Sequence, residues 1–195
     1  MVGTNNAFYG SKSLTSLDLS SFNFSAVESA ALMFHKCESL EYLALPNQMP
    51  SLSNIQEMFS DCENLTSINL GFLENASKVI NLFKMFKNCQ NLIEIEFPQV
   101  HIEFNISAGE MFSGCMKIKR IDLGKLEVKN MALMDNMFRN CKSLEFLNIS
   151  NLDMRYVTSY DSIFYGVPKN MTIIYDSNKT SQIMEEILRN QNLEK

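Results

Sequence analysis

The sequence predicts an α/β solenoid of about seven stacked units, each about 26 residues long, with a parallel sheet on one face and short helices on the other. Three observations lead to this prediction: cysteines recur at nearly constant spacing, the same two residues precede each cysteine, and the same apolar pattern follows it. We therefore expect one solenoid domain over residues 1–195, with repeats over about residues 8–175 and a C-terminal cap over 176–195.

A cysteine marks each of the five regular units. It follows a Met-Phe pair and precedes apolar residues three, six and eight positions later. Degenerate copies flank the regular ones, with Ser11 and Val167 at the cysteine place, and the last strand is expected to be displaced by one residue. Terminal units of a solenoid often depart from the pattern because they cap it. The five cysteines, at steps of 25, 27, 26 and 26 residues, are Cys37, Cys62, Cys89, Cys115 and Cys141.

Each unit contains two apolar patterns with different periods. After the cysteine, the pattern L-x-x-L-x-L alternates at its end and is the strand signature of leucine-rich repeats. Before the cysteine, apolar residues fall at i, i+3, i+6 and i+7, as from Val27 to Phe34, which predicts one stripe of a short helix. The predicted fold class is therefore a leucine-rich-repeat solenoid. An apolar anchor is expected between strand and helix, at Phe22, Leu73, Val100, Leu126 and Leu152.

The C-terminal residues predict a capping helix over the last repeat. Nothing comparable precedes Phe8, so the first unit would expose apolar side chains and an unpaired strand edge. We expect that the chain continues upstream in nature or that something else covers that end, and end-to-end association at the N-terminal repeat is one hypothesis. The predicted helix places Ile183, Met184, Ile187 and Leu188 opposite Glu185, Glu186 and Arg189.

The unit M-F-x-x-C-x-x-L-x-x-L-x-L resembles the BspA-like leucine-rich repeats, in particular their 26-residue bacterial surface protein version. The resemblance covers about residues 8–175, nearly the whole chain. The departures are Ser11 and Val167 for cysteine, Ile163 for methionine, and a proline after the strand at Pro46 and Pro98. The resemblance implies a cell-surface or extracellular protein that adheres to host proteins and other cells.

Composition and charge exclude several partners. The chain has 17 Lys and Arg against 22 Asp and Glu, a formal net charge of -5, so no nucleic-acid partner is expected. No apolar run approaches the roughly 20 residues that a membrane helix needs, so no membrane span is expected. The first residues show no signal-peptide pattern, which leaves a cytoplasmic location open as the alternative.

The cysteines and histidines do not indicate chemistry. Without C-x-x-C pairs, and with only His35 and His101, a zinc site is not expected, nor is any other cofactor. The cysteines are interpreted as buried thiols, with pairing in an oxidising compartment left open. His35 is expected to be an exposed loop residue and His101 to be incidental. No catalytic motif appears, so an enzyme is not expected.

The outward positions of the predicted strands, five and seven residues after the cysteine place, form the candidate binding face. Aromatic side chains lie toward its two ends, and acidic side chains surround an arginine at its centre. Aromatic residues and arginine are the usual anchors of protein interfaces. Strand propensity alone also favours Tyr and Phe there, and helices, turns or the open end are the alternative contact surfaces. The candidate residues are Tyr42, Glu94, Glu96, Arg120, Asp122 and Phe146.

Three functional hypotheses follow from the sequence. The first is a non-enzymatic solenoid that binds a protein partner, as a surface adhesion or ligand-binding module of a larger protein. The second is an intracellular scaffold or structural protein built on the same repeat. The third is an enzyme, which would need a polar cleft that the pattern does not supply. The sequence favours the first.

Overall fold

The computed structural model describes residues 3–74, 76–79 and 81–192, which form a parallel β-solenoid of about six turns with one α-helix, at its C-terminal end. We call the stretch of chain around each cysteine place a coil and name it by the residue there, from the Ser11 coil to the Val167 coil. Two 3₁₀ turns occupy Gly71–Leu73 and Ser177–Lys179. The other elements are β1 (Ser16–Asp18), β2 (Tyr42–Ala44), β3 (Glu94–Glu96), β4 (Val100–Ser107), β5 (Arg120–Asp122), β6 (Leu126–Leu133), β7 (Phe146–Asn148), β8 (Thr172–Ile174) and α1 (Gln182–Asn192).

The short strands that follow the cysteine place stack in parallel and in register. β1 pairs with β2, and β3, β5, β7 and β8 form a four-stranded sheet in that order. Thr172 pairs with Phe146, so the last strand keeps the register and the expected displacement by one residue is wrong. The apolar pattern differs there because Asn170 replaces its first residue, while Met171 beside it is buried in the core.

The strand ladder is interrupted at the Cys62 coil. Its residues 66–70 form no strand between β2 and β3, although they carry the same apolar pattern as the other coils. The N–H of Gly71 donates to Oδ1 of Asn69 at 2.8 Å, a turn that other coils repeat. The coils on both sides carry Pro46 and Pro98 at this place, and proline has no N–H to donate. The chain therefore leaves the Cys62 coil differently from both of its neighbours.

The segments before the cysteine place are consecutive tight turns, so the predicted short helices are wrong. Their N–H groups alternate between two acceptors: Met33 donates to Ala30 of its own coil at 3.2 Å, whereas Phe34 donates to Met58 of the next coil at 2.9 Å. In an α-helix both groups would bond four residues back in the same segment. Two residues in each coil have positive φ, at the third position of a four-residue turn, as a type II turn requires.

A stack of phenylalanine rings fills the core along the solenoid axis. From Phe8 to Phe164, neighbouring ring centroids lie 5.3–6.0 Å apart and the ring planes differ by at most 14°. The five cysteines lie in the same core, buried and unpaired. The thiol of Cys62 donates to the carbonyl of Phe34 at 3.1 Å, and each of the other cysteines repeats this bond. The thiols therefore pack as small apolar groups that also act as weak donors.

The predicted anchors between strand and turn segment are buried except in the first coil. Leu73, Val100, Leu126 and Leu152 are all at most 3% exposed. Phe22 is 59% exposed, because Phe24 two residues later occupies the core there at 8% exposure.

Two longer strands form a third, separate sheet. β4 and β6 pair in parallel, with an irregularity after Ile102 where the register shifts. In most other coils this side makes only isolated bridges, such as that between Ser29 and Asn54. The Cys89 and Cys115 coils therefore carry a wider strand surface here than their neighbours.

The predicted capping helix is present as α1. Met184 and Leu188 are fully buried in the core, whereas Ile183 is 56% exposed, so the apolar stripe is narrower than expected. In the part of the chain that the structure describes, no helix has the length and hydropathy needed to cross a bilayer.

Candidate functional site

The structure places the candidate residues on one outward surface, in two groups. Glu94, Arg120 and Phe146 face outward side by side, because β3, β5 and β7 pair them directly. Glu96 and Asp122 form the next row of the same sheet. Tyr42, on β2 and 58% exposed, lies on the other side of residues 66–70. We call the outward side of β2, residues 66–70, β3, β5 and β7 the groove face.

Arg120 is held in place by two neighbours. Its guanidinium carbon lies 3.9 Å from the ring centroid of Phe146, and Nη2 donates to Oδ2 of Asp122 at 2.5 Å. The other carboxylate oxygen of Asp122 accepts from the N–H of Gly124 at 3.0 Å and from Nδ2 of Asn148 at 2.9 Å. The Arg120 guanidinium, which can form two parallel hydrogen bonds, is therefore held in one orientation at the centre of the groove face.

The interrupted strand ladder leaves open clefts beside residues 66–70. A cleft of about 380 Å³ lies toward β3, with Glu94, Glu96, Arg120 and Lys125 in its wall. A second cleft of about 340 Å³ lies toward β2 and includes Tyr42. The N–H groups of residues 67–70 donate to no main-chain carbonyl of the described residues. The groove face thus combines fixed side chains with unused main-chain donors.

The charges along the larger cleft differ in how they are paired. Lys125 Nζ lies 2.7 Å from Oε1 of Glu96, and this hydrogen bond raises the pKa of Lys125. Glu94 has no ion-pair partner among the residues that the structure describes. Its carboxylate is therefore the available anionic group on this side of the groove face.

A second charged cluster on β4 and β6 was not predicted. Nδ1 of His101 lies 2.9 Å from Oε2 of Glu127, its Nε2 contacts Glu103, and Lys129 binds Glu103 at 2.5 Å. Hydrogen bonds to the two carboxylates raise the pKa of His101. The repeat register carries a signal for this cluster, because Glu127 follows His101 at the repeat spacing.

His35 is buried at the edge of the solenoid, so the prediction of an exposed loop residue is wrong. The residue is only 8% exposed, because the ring of Tyr9 lies 5.1 Å away and the next coil covers its other side. Its Nδ1 has no hydrogen-bond partner, with Asp61 and Glu57 oxygens at 3.7 and 3.9 Å. Burial lowers the pKa of His35, although both carboxylates act in the opposite direction.

Within residues 3–74, 76–79 and 81–192, no group of three His, Cys, Asp or Glu side chains is arranged to hold a metal ion. Burial raises the pKa of the Cys62, Cys89 and Cys115 thiols well above its ordinary value. The buried thiols are therefore held in the protonated form, which is the poor nucleophile.

Comparison with known families bears on the same residues. A model of a family described as "Mycoplasma protein of unknown function, DUF285" matches residues 2–72 and 53–177, most of the chain. The chain belongs to this family. No curated protein matches the sequence. The parts of this DUF285 chain that match include the phenylalanine stack, the cysteines and the whole groove face, whereas α1 lies beyond them. The description of the DUF285 family names no activity, so function is argued from the groove face itself.

Proposed function

We propose that the chain is a non-enzymatic solenoid that holds a protein partner on its groove face. In this proposal it is a module of a surface protein used in adhesion or ligand binding, with seven leucine-rich-repeat units of the BspA-like type. The repeated Met-Phe-Cys motif and its two degenerate copies support the count of seven. The resemblance to BspA-like repeats supports the surface location and the adhesive role.

The fixed Arg120–Phe146 stack beside an open cleft is the observation that carries the proposal. Arginine and aromatic side chains supply much of the energy in protein interfaces. Because Asp122 and Phe146 already hold Arg120, little side-chain entropy remains to be lost when a partner binds. The clefts are open and shallow, so they suit a protruding part of a protein surface better than an enclosed small molecule.

The groove face also offers complementary polar groups around that stack. Glu94 is free to accept a hydrogen bond from a basic or amide group, and the unused N–H groups of residues 67–70 are free to donate. Tyr42 adds an amphipathic aromatic side chain on the far side of the groove. A partner that spans both clefts would therefore contact apolar, anionic and donor groups together.

A photo-reactive amino acid at position 42 would identify the partner in cells that carry the protein. We then expect the double variant Arg120→Ala with Phe146→Ala to weaken the measured Kd for that partner by at least about tenfold. Arg139→Ala with Tyr165→Ala is the matched control, because Arg139 lies 4.7 Å from the ring centroid of Tyr165 on the turn side of the solenoid.

The control variant should change the Kd by less than about threefold. Equal weakening by both double variants would contradict a role for the groove face, and so would no weakening by either. Circular dichroism must show that both variants keep the fold. If position 42 captures no protein at all, the proposal fails at its first step.

The intracellular scaffold is the second candidate, and the five unpaired thiols favour it. Protein purified from its own cells, alkylated in denaturant before any reduction so that the buried thiols react, separates the two locations by intact mass. Five alkyl groups on an otherwise unmodified chain would support the scaffold. Missing alkyl groups or attached sugar would support the surface module instead.

A further inference from the structure

We propose that the two ends of the solenoid form complementary halves of one interface. A second copy of this chain would dock head to tail, with its Ser11 coil on the Val167 coil of the first. Helix α1, which packs against the strand of the last coil, controls access to that end. This inference is independent of the groove face and of the partner that binds there.

The hydrogen bonds between turn segments all run in one direction. In each coil from the Ser11 coil to the Cys141 coil, four N–H groups donate to carbonyls of the following coil, and none of these bonds runs the other way. In the Ser11 coil, for example, Phe8 donates to Met33 at 2.9 Å and Gly10 donates to His35 at 2.8 Å. The same pattern continues to the Cys141 coil, where Asn140 donates to Tyr165 at 2.7 Å.

This polarity leaves different groups at the two ends. At the first end the carbonyls of the acceptor positions receive no main-chain N–H within the described residues, and at the last end the N–H groups of the donor positions reach no main-chain carbonyl. The free carbonyls belong to Gly3, Asn5, Ala7 and Tyr9, and the free N–H groups belong to Tyr160, Ser162, Phe164 and Gly166.

The two sets occupy matching positions of the repeat. Joining a Val167 coil to the Ser11 coil of a second copy would continue all four hydrogen-bond ladders and place Phe8 of that copy over Phe164. Two Ser11 coils facing each other would oppose carbonyls with carbonyls, which leaves every one of these acceptors without a donor. The chemistry therefore selects head-to-tail contact and excludes head-to-head contact.

The C-terminal cap covers one of these ends. Phe164 is only 6% exposed, whereas Phe8 at the opposite end of the same stack is only partly buried. Met184 and Leu188 of α1 are fully buried, and α1 contacts β8, the strand of the Val167 coil. An isolated helix of this length is marginal in water, so these two side chains largely determine whether α1 stays docked.

Releasing α1 in the 195-residue chain tests the proposal. We expect Met184→Asp with Leu188→Asp to form concentration-dependent oligomers, at multiples of 22.3 kDa by light scattering, while the unaltered chain stays monomeric. A folded variant that remains monomeric would overturn the proposal.

A cross-link identifies the ends that meet. Tyr9 and Tyr165 are both exposed and hold the same repeat position in the Ser11 and Val167 coils, and the native thiols are buried. In the α1-released background, a short bismaleimide should link a Tyr9→Cys chain to a Tyr165→Cys chain. Either chain alone should give few dimers. If the Tyr9→Cys chain alone gave as many dimers as the mixture of the two chains, the contact would be head-to-head or unspecific, which would contradict the proposal.

A milder variant covers the case in which the aspartates unfold the last coil. Glu185→Gly with Glu186→Gly lowers helix propensity without placing a charge in the core. Hydrogen exchange must show faster exchange of the α1 amides in this variant. With α1 loosened in that way, the yield of the cross-link between Tyr9→Cys and Tyr165→Cys chains should rise above the yield without the glycine substitutions. An unchanged yield would refute the proposal that α1 controls access to the last coil.

Discussion

Phe86 shows what a single residue contributes to this solenoid. Its ring is fully buried between Phe59 and Phe112, whose ring centroids lie 5.4 and 5.6 Å away. One neighbouring coil therefore packs on each face of the ring. Its N–H also joins two coils, since it donates to Met111 at 2.9 Å. The sequence predicted this core position, because the Met-Phe pair recurs in register with the cysteine.

We expect Phe86→Ala to lower the free energy of unfolding by about 3–5 kcal/mol, because it leaves a cavity inside a stack that cannot close around it. Denaturant unfolding measures this change. Phe104→Ala is the control, since Phe104 is 54% exposed and its loss should cost less than about 0.5 kcal/mol. A loss below about 1 kcal/mol for Phe86→Ala would contradict the assigned core position.

At the scale of elements, the turn segments explain what the sequence could and could not predict. Apolar residues at spacings of three and four identify the buried positions correctly, and both a short helix and a run of turns satisfy that spacing. The choice between them depends on N–H bonds to the next coil, which are tertiary contacts. The turn residues Asp61, Asn88 and Gly114 before the cysteine place were the local sign of positive φ.

The strands give a similar lesson for the candidate site. Alternation with a period of two was enough to place Glu94, Arg120 and Phe146 outward. It could not show the interruption at residues 66–70, whose pattern matches that of the paired strands. The clefts of the groove face therefore required the structure.

Gly114 tests the turn segments. Its φ is +80°, and an added Cβ would lie 2.4 Å from Oδ1 of Asn88 on the preceding coil. Gly10 holds the same place in the Ser11 coil with φ of +68°, but an added Cβ there meets nothing within 4 Å. We expect Gly10→Ala to cost about 1–2 kcal/mol from the positive φ alone.

Gly114→Ala should cost more than Gly10→Ala, because the Asn88 side chain must move as well and gives up its hydrogen bond to Asp61. Thermal unfolding of the two variants under identical conditions compares them directly. Equal destabilisation would show that the close approach to Asn88 has no energetic weight.

At the scale of the whole molecule, stability depends on coils that bury one another, as in other repeat proteins. The cysteine column is one expression of this dependence. Each thiol donates to the preceding coil, and burial keeps the pKa of these thiols raised in the folded chain only. Folding is therefore linked to proton binding at alkaline pH.

We expect the free energy of unfolding to fall as pH rises above about 8.5, where the thiols of the unfolded chain ionise and those of the folded chain stay protonated. Each buried thiol contributes a slope of up to about 1.4 kcal/mol per pH unit in that range. Cys89→Ala should reduce the slope by about one such contribution, measured by denaturant unfolding from pH 8 to 10.

The variant should also lose stability at neutral pH, from its smaller side chain, but that loss does not depend on pH. Lysines and tyrosines titrate in both proteins alike, so the comparison isolates the Cys89 proton. An identical slope in the two proteins would mean that Cys89 ionises in the folded state.

The one-way hydrogen bonds between turn segments give the solenoid a dipole along its axis. Peptide dipoles that point the same way add along an axis, as they do in an α-helix. Here the column of turns adds them from the Ser11 coil to the Val167 coil, with the negative pole at the first and the positive pole at the second. In the approach of two such molecules this dipole favours the end-to-end orientation over the reverse one, and salt screens that preference.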